Sequence, residues 1–404
     1  MSGRTVPAGR ATTTQIRPVA RPEQIRKHNL GLLLRHLHQV GSISRSELTT
    51  ATGLNRSTIA ALVGELTERG MVAEHPDATK SGAGRPSYVV TALPQAAHVI
   101  AVDLDVRTVT VAAVGFGGQV RARRMWNHPV KHPEPSDVAD AIAQAAAELD
   151  GETAGSRCVG MCVGVPGMVR TQDGWVLNAP NLRWHGVPFG QFMRDRIGHE
   201  VRMVNDADLA AYAEHLRGAG RGYNDLICVL GRNGVGSGVL VDGRPLHGAT
   251  GYAGELGHVV MDPKGRRCHC GNRGCVEQYA GAPALLRAAR RRGSPVGDVE
   301  ELFARFDAGD QPAAHVVSEV ADWLGVITGN VVTFLEPSAV VYVGHLAEVI
   351  RRCGPSVARR VARGATADTA APVALLPGVL DEPILVGAAE LAFEELFTGD
   401  LSLV

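Results

Sequence analysis

Apolar positions near the N-terminus recur at helical spacing. Between Gln24 and Gln39, the residues Ile25, Leu30, Leu33, Leu34 and Leu37 form one stripe, the mark of a helix with a single buried face. Ser44-Arg45-Ser46-Glu47 reads as a capping box, with Ser44 the N-cap and Glu47 reaching back. Gly53 supplies a tight turn that keeps this helix short. Asn55 caps a further helix that runs to Arg69 and is closed by Gly70. Its Ile59, Leu62, Val63 and Leu66 fall at i, i+3, i+4 and i+7 and face a core. Arg56, Ser57 and Thr58 then crowd the exposed first turn. A strand from Met71 to His75, a polar tip and a returning strand from Ser87 to Ala92 complete the segment. Helix, short helix, glycine turn and polar-tipped helix make a helix-turn-helix, and the hairpin makes its wing. In such a reader the start of the last helix meets base edges and phosphates. An extended arginine, as in Gly84-Arg85-Pro86, suits a narrow minor groove. The candidate DNA contacts are Arg45, Asn55, Arg56, Ser57, Thr58 and Arg85, within a winged helix-turn-helix domain spanning residues 21–93.

From residue 94 the period changes. Val99 to Leu104, Thr108 to Val114 and Gln119 to Trp126 are β-prone runs with short turns between them. An amphipathic helix from Ser136, a buried strand Cys158 to Val165, a strand Val201 to Val204 and a helix Ala207 to Arg217 follow. The second half repeats the plan with Leu226 to Leu230, Val235 to Val241 and a strand after the Asp242-Gly243 turn. It continues with helix Ala313 to Leu335, strand Ala339 to Val343, helix Leu346 to Ala362, strand Pro372 to Leu376 and helix Ile384 to Phe397. Three antiparallel strands followed by alternating helices and strands, twice over, predict an α/β body of two similar lobes with a cleft between them.

Length and charge sharpen this division. A chain of 404 residues exceeds one typical domain. Residues 1–90 carry twelve Lys/Arg against six acids, and the remainder is acidic by the same margin, since the whole is neutral. A basic front end on an acidic body fits a polyanion-binding module joined to something that does not bind polyanions. Residues 1–20 lack apolar periodicity and read as a disordered basic tail. No apolar run is long enough for a membrane span, and no secretory signal opens the chain. The expected location is the cytoplasm.

Of seven cysteines, Cys158, Cys162, Cys228 and Cys353 sit singly in apolar runs and read as small buried residues. Cys268, Cys270 and Cys275 share one glycine-punctuated loop. Three thiolates need one more donor for a closed tetrahedral zinc site, which would be structural. His269 and His258 are the candidates. His269 shares its immediate backbone with two of the cysteines, so His258 is better placed to approach from outside. The expectation is one structural zinc per chain.

Gly254-Glu255-Leu256-Gly257-His258, followed by Cys-x-Cys-Gly-x-x-Gly-Cys-x-Glu from Cys268 to Glu277, resembles the signature of the ROK family of repressors, open reading frames and kinases. The resemblance extends from about residue 20 to the C-terminus, because many family repressors also carry a winged helix. It implies an actin-like (ribonuclease H-like) two-lobed sugar-kinase fold over residues 94–404, with metal on His258, Cys268, Cys270 and Cys275. It also implies sugar contacts at Asn181, Asn205, Asp206, Glu255, His258 and Glu277. Carboxylates and amides meet vicinal hydroxyls in pairs, and Asp206 matches the kinases' general base, although an Asn-Asp pair before a helix is also an ordinary cap.

The phosphate hairpins depart from the family. Its kinases read Asp-x-Gly-Gly-Thr where this chain has Asp103-Leu104-Asp105-Val106-Arg107, and Gly-Thr-Gly where it has Arg232-Asn233-Gly234. Gly236-Ser237-Gly238 is retained, as glycines are at any tight turn. Backbone N–H groups can no longer approach phosphates closely, so the chain is expected to bind sugar without being an enzyme. Internal pairing of the added arginines, Arg107 with Asp105 for instance, is expected over capture of a sugar phosphate. A working kinase with a fused reader is the rival. The expected partners are operator DNA, a sugar or sugar-phosphate effector and, through symmetric half-sites, a second copy in a homodimer or homotetramer. A protein partner docking on the body is a further reading.

Overall fold

The computed structural model describes residues 21–76, 88–198, 200–249, 251–364 and 373–403. The N-terminal tail and the wing tip with Arg85 lie outside the described residues.

The reader begins with helix α1 (Pro22–Val40), whose Leu30, Leu33, Leu34 and Leu37 are buried as the stripe requires, whereas Ile25, in the first turns, is exposed and does not join the buried face. Strand β1 (Ser42–Ser44) and helix α2 (Arg45–Thr52) follow. The Glu47 N–H donates to the Ser44 hydroxyl while the Glu47 carboxylate accepts from the Ser44 N–H at 3.0 Å, closing the expected box. Helix α3 (Arg56–Glu68) starts where Asn55 Oδ1 accepts the Thr58 N–H at 2.8 Å. Strands β2 (Val72–Pro76) and β3 (Tyr88–Ala92) form the wing, and β1 adds a third antiparallel strand beside β3. That strand is too short to show in a hydrophobic pattern.

Only Leu93 to Ala96 separate β3 from the body. The first lobe runs β4 (Ala97–Leu104), β5 (Thr108–Gly115), β6 (Val120–Asn127), α4 (Pro135–Glu152) and β7 (Arg157–Val165). A small sheet of β8 (Met168–Arg170), β9 (Trp175–Ala179) and β10 (Trp184–Val187) comes next. The lobe closes with α5 (Phe189–Ile197), β11 (Arg202–Asn205) and α6 (Asp206–Arg217). The second lobe runs β12 (Leu226–Gly231), β13 (Val235–Val241), β14 (Arg244–Pro245), α7 (Glu277–Ala280), α8 (Ala282–Arg291), α9 (Val299–Asp307) and α10 (Gln311–Leu335). It ends with β15 (Ala339–Gly344), α11 (His345–Gly364), β16 (Ala374–Pro377) and α12 (Pro383–Ala392).

The main sheets have one plan. Their orders are β11-β7-β4-β5-β6 and β16-β15-β12-β13-β14, three antiparallel strands followed outward by two parallel ones. The central strands β4, β12 and β15 are apolar almost throughout and buried, as strands covered on both faces must be. The lobes exchange helices: α6 packs on β12 and β13, while α12 packs on β4 and β7. Gly236-Ser237-Gly238 is not a turn but the middle of β13. A Cβ at Gly238 would stand 2.6 Å from the Ala207 carbonyl oxygen, so these glycines admit α6 against the sheet.

One hydrophobic core runs from the reader into the body, joining Leu30, Leu37, Leu66 and Val90 to Phe116, Phe393 and Phe397. Polar groups seal the joint. His38, wholly buried, lies 3.0 Å by Nε2 from Glu390 and accepts the Gly117 N–H by Nδ1 at 2.9 Å. Arg217 pairs with Glu390 and donates to the His38 carbonyl at 3.0 Å. Arg35 grips Glu394 with both guanidinium branches, and the Tyr212 hydroxyl donates to the same carboxylate at 2.6 Å. The boundary near residue 93 is therefore a covalent one and not a gap in packing. No helix among the described residues is long and apolar enough to cross a membrane.

Candidate functional site: the interlobe cleft and the reader helix

The cleft opens where the carboxyl ends of β7, β11 and β12 meet, the usual ligand position in α/β sheets. Asn181, Asn205, Asp206, Glu255, His258 and Glu277 all line it. They come from separate segments, so convergence is a property of the fold. Local geometry explains each seat. Asn205 ends β11 and caps α6: its Oδ1 accepts the Ala207 and Asp208 N–H groups at 2.8 and 3.3 Å, and its Nδ2 donates to the Gly167 carbonyl at 2.8 Å. Capping thus falls to Asn205, which leaves Asp206 at the cleft with one bond from the Ala207 N–H at 2.9 Å. Glu277 opens α7 and leans on Gly234, where any Cβ would meet its Oε2 at 2.2 Å.

Charge in the cleft is strongly shaped by burial. Asp206 is buried, and its carboxyl is pushed up to about 7 by desolvation; Arg232 opposes this, and Asp103 and Asp105 add to it. Asp208 is likewise pushed up to about 7 by desolvation, then by Asp206 and Glu255. Burial also raises Glu255, with His258 acting against it and Glu277 with it. A carboxyl poised near 7 can hold or accept a proton.

The arginine pairing differs from expectation. Arg232, not Arg107, makes the internal pair: its two branches donate to Asp103 at 3.0 and 2.9 Å, with Asp105 at 3.8 Å. Arg107 is exposed. Because Arg232 follows β12 and Asp103 lies in β4, this fork ties the lobes together. It lines both this cleft and a second one of about 460 Å³ beyond it. Sequence proximity had favoured Arg107 for Asp105; the strand ends bring Arg232 instead.

His258, Cys268, Cys270 and Cys275 form one cluster whose donor atoms lie within 4.8 Å of each other, a group able to hold a metal ion. His258 Nδ1 is 3.7 Å from the Cys268 sulfur, and the Cys270 and Cys275 sulfurs are 3.6 Å apart. The other His258 nitrogen, Nε2, faces Glu255 at 4.0 Å. His269 is not one of the four clustered donors and lines the cleft, a placement that loop sequence alone does not disclose. Asp208 is the other residue the sequence reading missed; its position two residues after Asp206 at a helix start was the available signal.

At the reader, Arg56 and Ser57 are exposed on the first turn of α3, and Thr58 is partly covered. Asn55 is exposed but its Oδ1 is spent on the cap and on the Ser57 hydroxyl at 2.7 Å. Arg45 is committed as well. Its guanidinium donates twice to Glu74 of β2 at 2.5 Å and lies 5.8 Å from the Tyr88 ring centre, which makes it a strut between α2 and the wing.

Winged helix-turn-helix, duplicated lobes and a carboxylate-lined cleft define a two-lobed sugar-kinase-like protein fused to a DNA-reading module. The family model for ROK matches residues 99–395, and the chain belongs to the ROK family. It is 27% identical over 321 residues to the xylose repressor of Bacillus spizizenii, covering 78% of this chain and 82% of that repressor. A crystal structure of a ROK family transcriptional regulator, a homologue of the E. coli MLC protein, superposes with a TM-score of 0.75 at 24% identity, covering 93% of this chain and 98% of that one. A ROK glucokinase from Streptomyces griseus, solved with glucose and AMPPNP, gives 0.65 at 28% identity over 73% of this chain and 99% of the kinase. The match to the regulator includes the reader; the match to the kinase does not extend over the whole chain.

Proposed function

We propose that this chain is a transcriptional repressor that holds a sugar, or a sugar phosphate, between its lobes without phosphorylating it. The convergence of six polar side chains on one cleft carries the reading. The likeness to a xylose repressor over most of both chains supports the repressor class. The Arg232–Asp103 fork supports the non-enzymatic part, since it fills the region between the clefts with a paired guanidinium and two carboxylates. Carboxylates repel phosphate oxygens, and a side chain of this size keeps backbone N–H groups from them. The reading of the reader is that Arg56, Ser57 and Thr58 contact DNA, with Arg85 at the wing, and that two copies bind symmetric half-sites about 34 Å apart or a multiple of it.

The metal proposed is zinc. Ligand bonds of about 2.3 Å to sulfur and about 2.0 Å to nitrogen give tetrahedral edges of about 3.6–3.8 Å, and the observed separations are 3.6 and 3.7 Å. A zinc ion would supply structural cross-linking, held by His258, Cys268, Cys270 and Cys275. His258 would then present Nε2 to the cleft in a fixed tautomer. In the cleft, Asp206, Glu255 and Glu277 accept from sugar hydroxyls, and Asn181 can both donate and accept.

The test combines three measurements on one preparation: calorimetry with a panel of sugars and sugar phosphates, DNA anisotropy with selected operator duplexes, and ADP release with ATP and magnesium. Sugar binding that weakens DNA binding without ADP release is the expected result. Sustained turnover that disappears in Asp206→Asn would establish the rival kinase reading.

A further inference from the structure

The body is acidic as a whole, yet one stretch of it reverses the sign. Between residues 263 and 297 there are eight Lys/Arg and a single acid, Glu277, which lines the cleft. The fold draws these cations together. Lys264, Arg266, Arg267 and Arg273 belong to the turns that carry the cysteine cluster, where Arg267 and Arg273 face each other across an antiparallel bridge. Arg287, Arg290 and Arg291 stand at i, i+3 and i+4 on α8 and so share one side of that helix. Gln278 joins the two groups: its backbone carbonyl accepts from Arg266 at 2.7 Å, and its side-chain Oε1 accepts from Arg287 at 3.4 Å.

Ordinary surface chemistry does not account for the set. Elsewhere on the body guanidiniums meet carboxylates, as Arg123 meets Glu382 and Arg352 meets Asp307. In this stretch Arg292 does so, with Glu319 at 2.9 Å, but among the described residues the other seven cations have no ion pair. Cations in the last turn of α8 suit the helix dipole, which explains Arg290 and Arg291 and none of the four on the turns. The Arg287 guanidinium is held below its ordinary value by partial desolvation, then by Arg266 and Arg291, with Glu277 acting against them. Like charges therefore crowd here without a counter-charge on the chain, and an external anion would supply it.

The make-up of the face selects among anions. A protein partner docks on a centre from which charge is depleted, and between residues 263 and 297 no large apolar side chain is exposed. A small anion needs donors that converge in a concave site, whereas these are spread over turns and a helix. Phosphates repeated along a duplex need only cations at intervals on a surface. We infer that this face of the second lobe takes the phosphate backbone of duplex DNA, a sequence-independent contact additional to the winged helix. This rests on the reading that the chain works on DNA.

The experiment is anisotropy titration of the intact chain with a selected operator duplex and with a random duplex of the same length, between about 50 and about 200 mM salt. Arg290→Gln/Arg291→Gln removes two charges from the face. Lys131→Gln/Arg183→Gln removes two exposed charges from the first lobe and controls for net charge. On the random duplex, the slope of log K against log salt should be shallower in the face variant by about 1.8, the value for two lost phosphate contacts. Its ratio of operator to random affinity should stay near the parent's, and the control should keep the parent's slope. A face variant that matches the control, whether both keep the slope or both lose it, would overturn the inference. Phenylglyoxal labelling of the unaltered chain covers a variant that does not fold: the random duplex should slow modification of Arg290 and Arg291, and unchanged rates would overturn the inference as well. Polyglutamate binding that depends on Arg290 and Arg291, with no such dependence for duplex, would assign the face to an acidic protein instead. A parent without operator preference but with the slope difference intact would sink the repressor reading and leave this one standing. If the parent binds no duplex at all, both fall.

Discussion

Asp206 and Asp208 stand two residues apart at the start of one helix, and both carboxyls are raised from 3.8 to about 7. Between those values the folded chain holds protons that the unfolded chain has released. The linkage sign follows: this pair lowers stability progressively as pH rises from about 4 to 7. Asp206→Asn should therefore melt higher than the parent at pH 8, with the difference shrinking toward pH 5. Scanning calorimetry at both pH values checks this, and an equal difference at each would refute it. Cys270 tests the metal at the same scale. It sits exposed on its loop, so losing its side chain removes little packing. Zinc in comparable sites contributes on the order of 10 kcal/mol to folding. Cys270→Ser should lower the melting temperature sharply and weaken sugar binding, while the parent should carry one zinc by elemental analysis; a metal-free, fully stable parent would count against the site.

Among the elements, α3 shows how much a local pattern can fix. Its cap, core face and polar first turn were all legible, since each depends on residues within one or two turns. The fate of Arg45 was not, because Glu74 lies 29 positions away and meets it only when the wing folds back. Arg56→Ala should cost about 1–3 kcal/mol of operator affinity if the side chain reads a guanine. Arg45→Ala should instead weaken DNA binding only as far as it loosens the wing. Fluorescence anisotropy in moderate salt, with both variants side by side, separates the two roles. Tight binding by Arg56→Ala would show that α3 does not enter the groove. Elements of the body repeat the lesson. Gly236 and Gly238 looked like turn residues in a one-dimensional reading, whereas a helix distant in sequence makes them necessary in β13.

On the scale of the whole molecule, α6 links the cleft to the joint with the reader. Its first residues border the cleft, while Tyr212 and Arg217 further along reach Glu394, Glu390 and the carbonyl of His38 in α1. Gly31 of α1 sits so close to the body that a Cβ would stand 2.1 Å from the Phe397 carbonyl oxygen. Were α6 displaced by a ligand, these direct contacts would carry the movement to the reader. Glu394→Gln removes the charge that Arg35 and Tyr212 share and lies outside the cleft. Its expected phenotype is sugar affinity near that of the parent with a reduced effect of sugar on DNA binding. A full sugar response in this variant would show that the joint does not transmit it.

Hydrophobic periodicity determined the long helices and central strands and, through them, the two-lobed repeat and the helix-turn-helix, because each is a contest between burial and exposure; the short elements β1, β8 to β10, α5 and α7 to α9 left too little pattern to read. The Cys268–Cys275 loop and Gly254–His258 were equally legible, since a cluster able to hold a metal and its flanking turn are written in short stretches of sequence. Tertiary structure decided which charges meet. Arg232 rather than Arg107 takes Asp103 and Asp105, His269 lines the cleft, and Asn205 rather than Asp206 caps α6. Electrostatic partners are chosen by distances of a few ångströms between strand ends and loops that lie far apart in the chain. A sequence supplies the charges, but the packing of two lobes sets those distances.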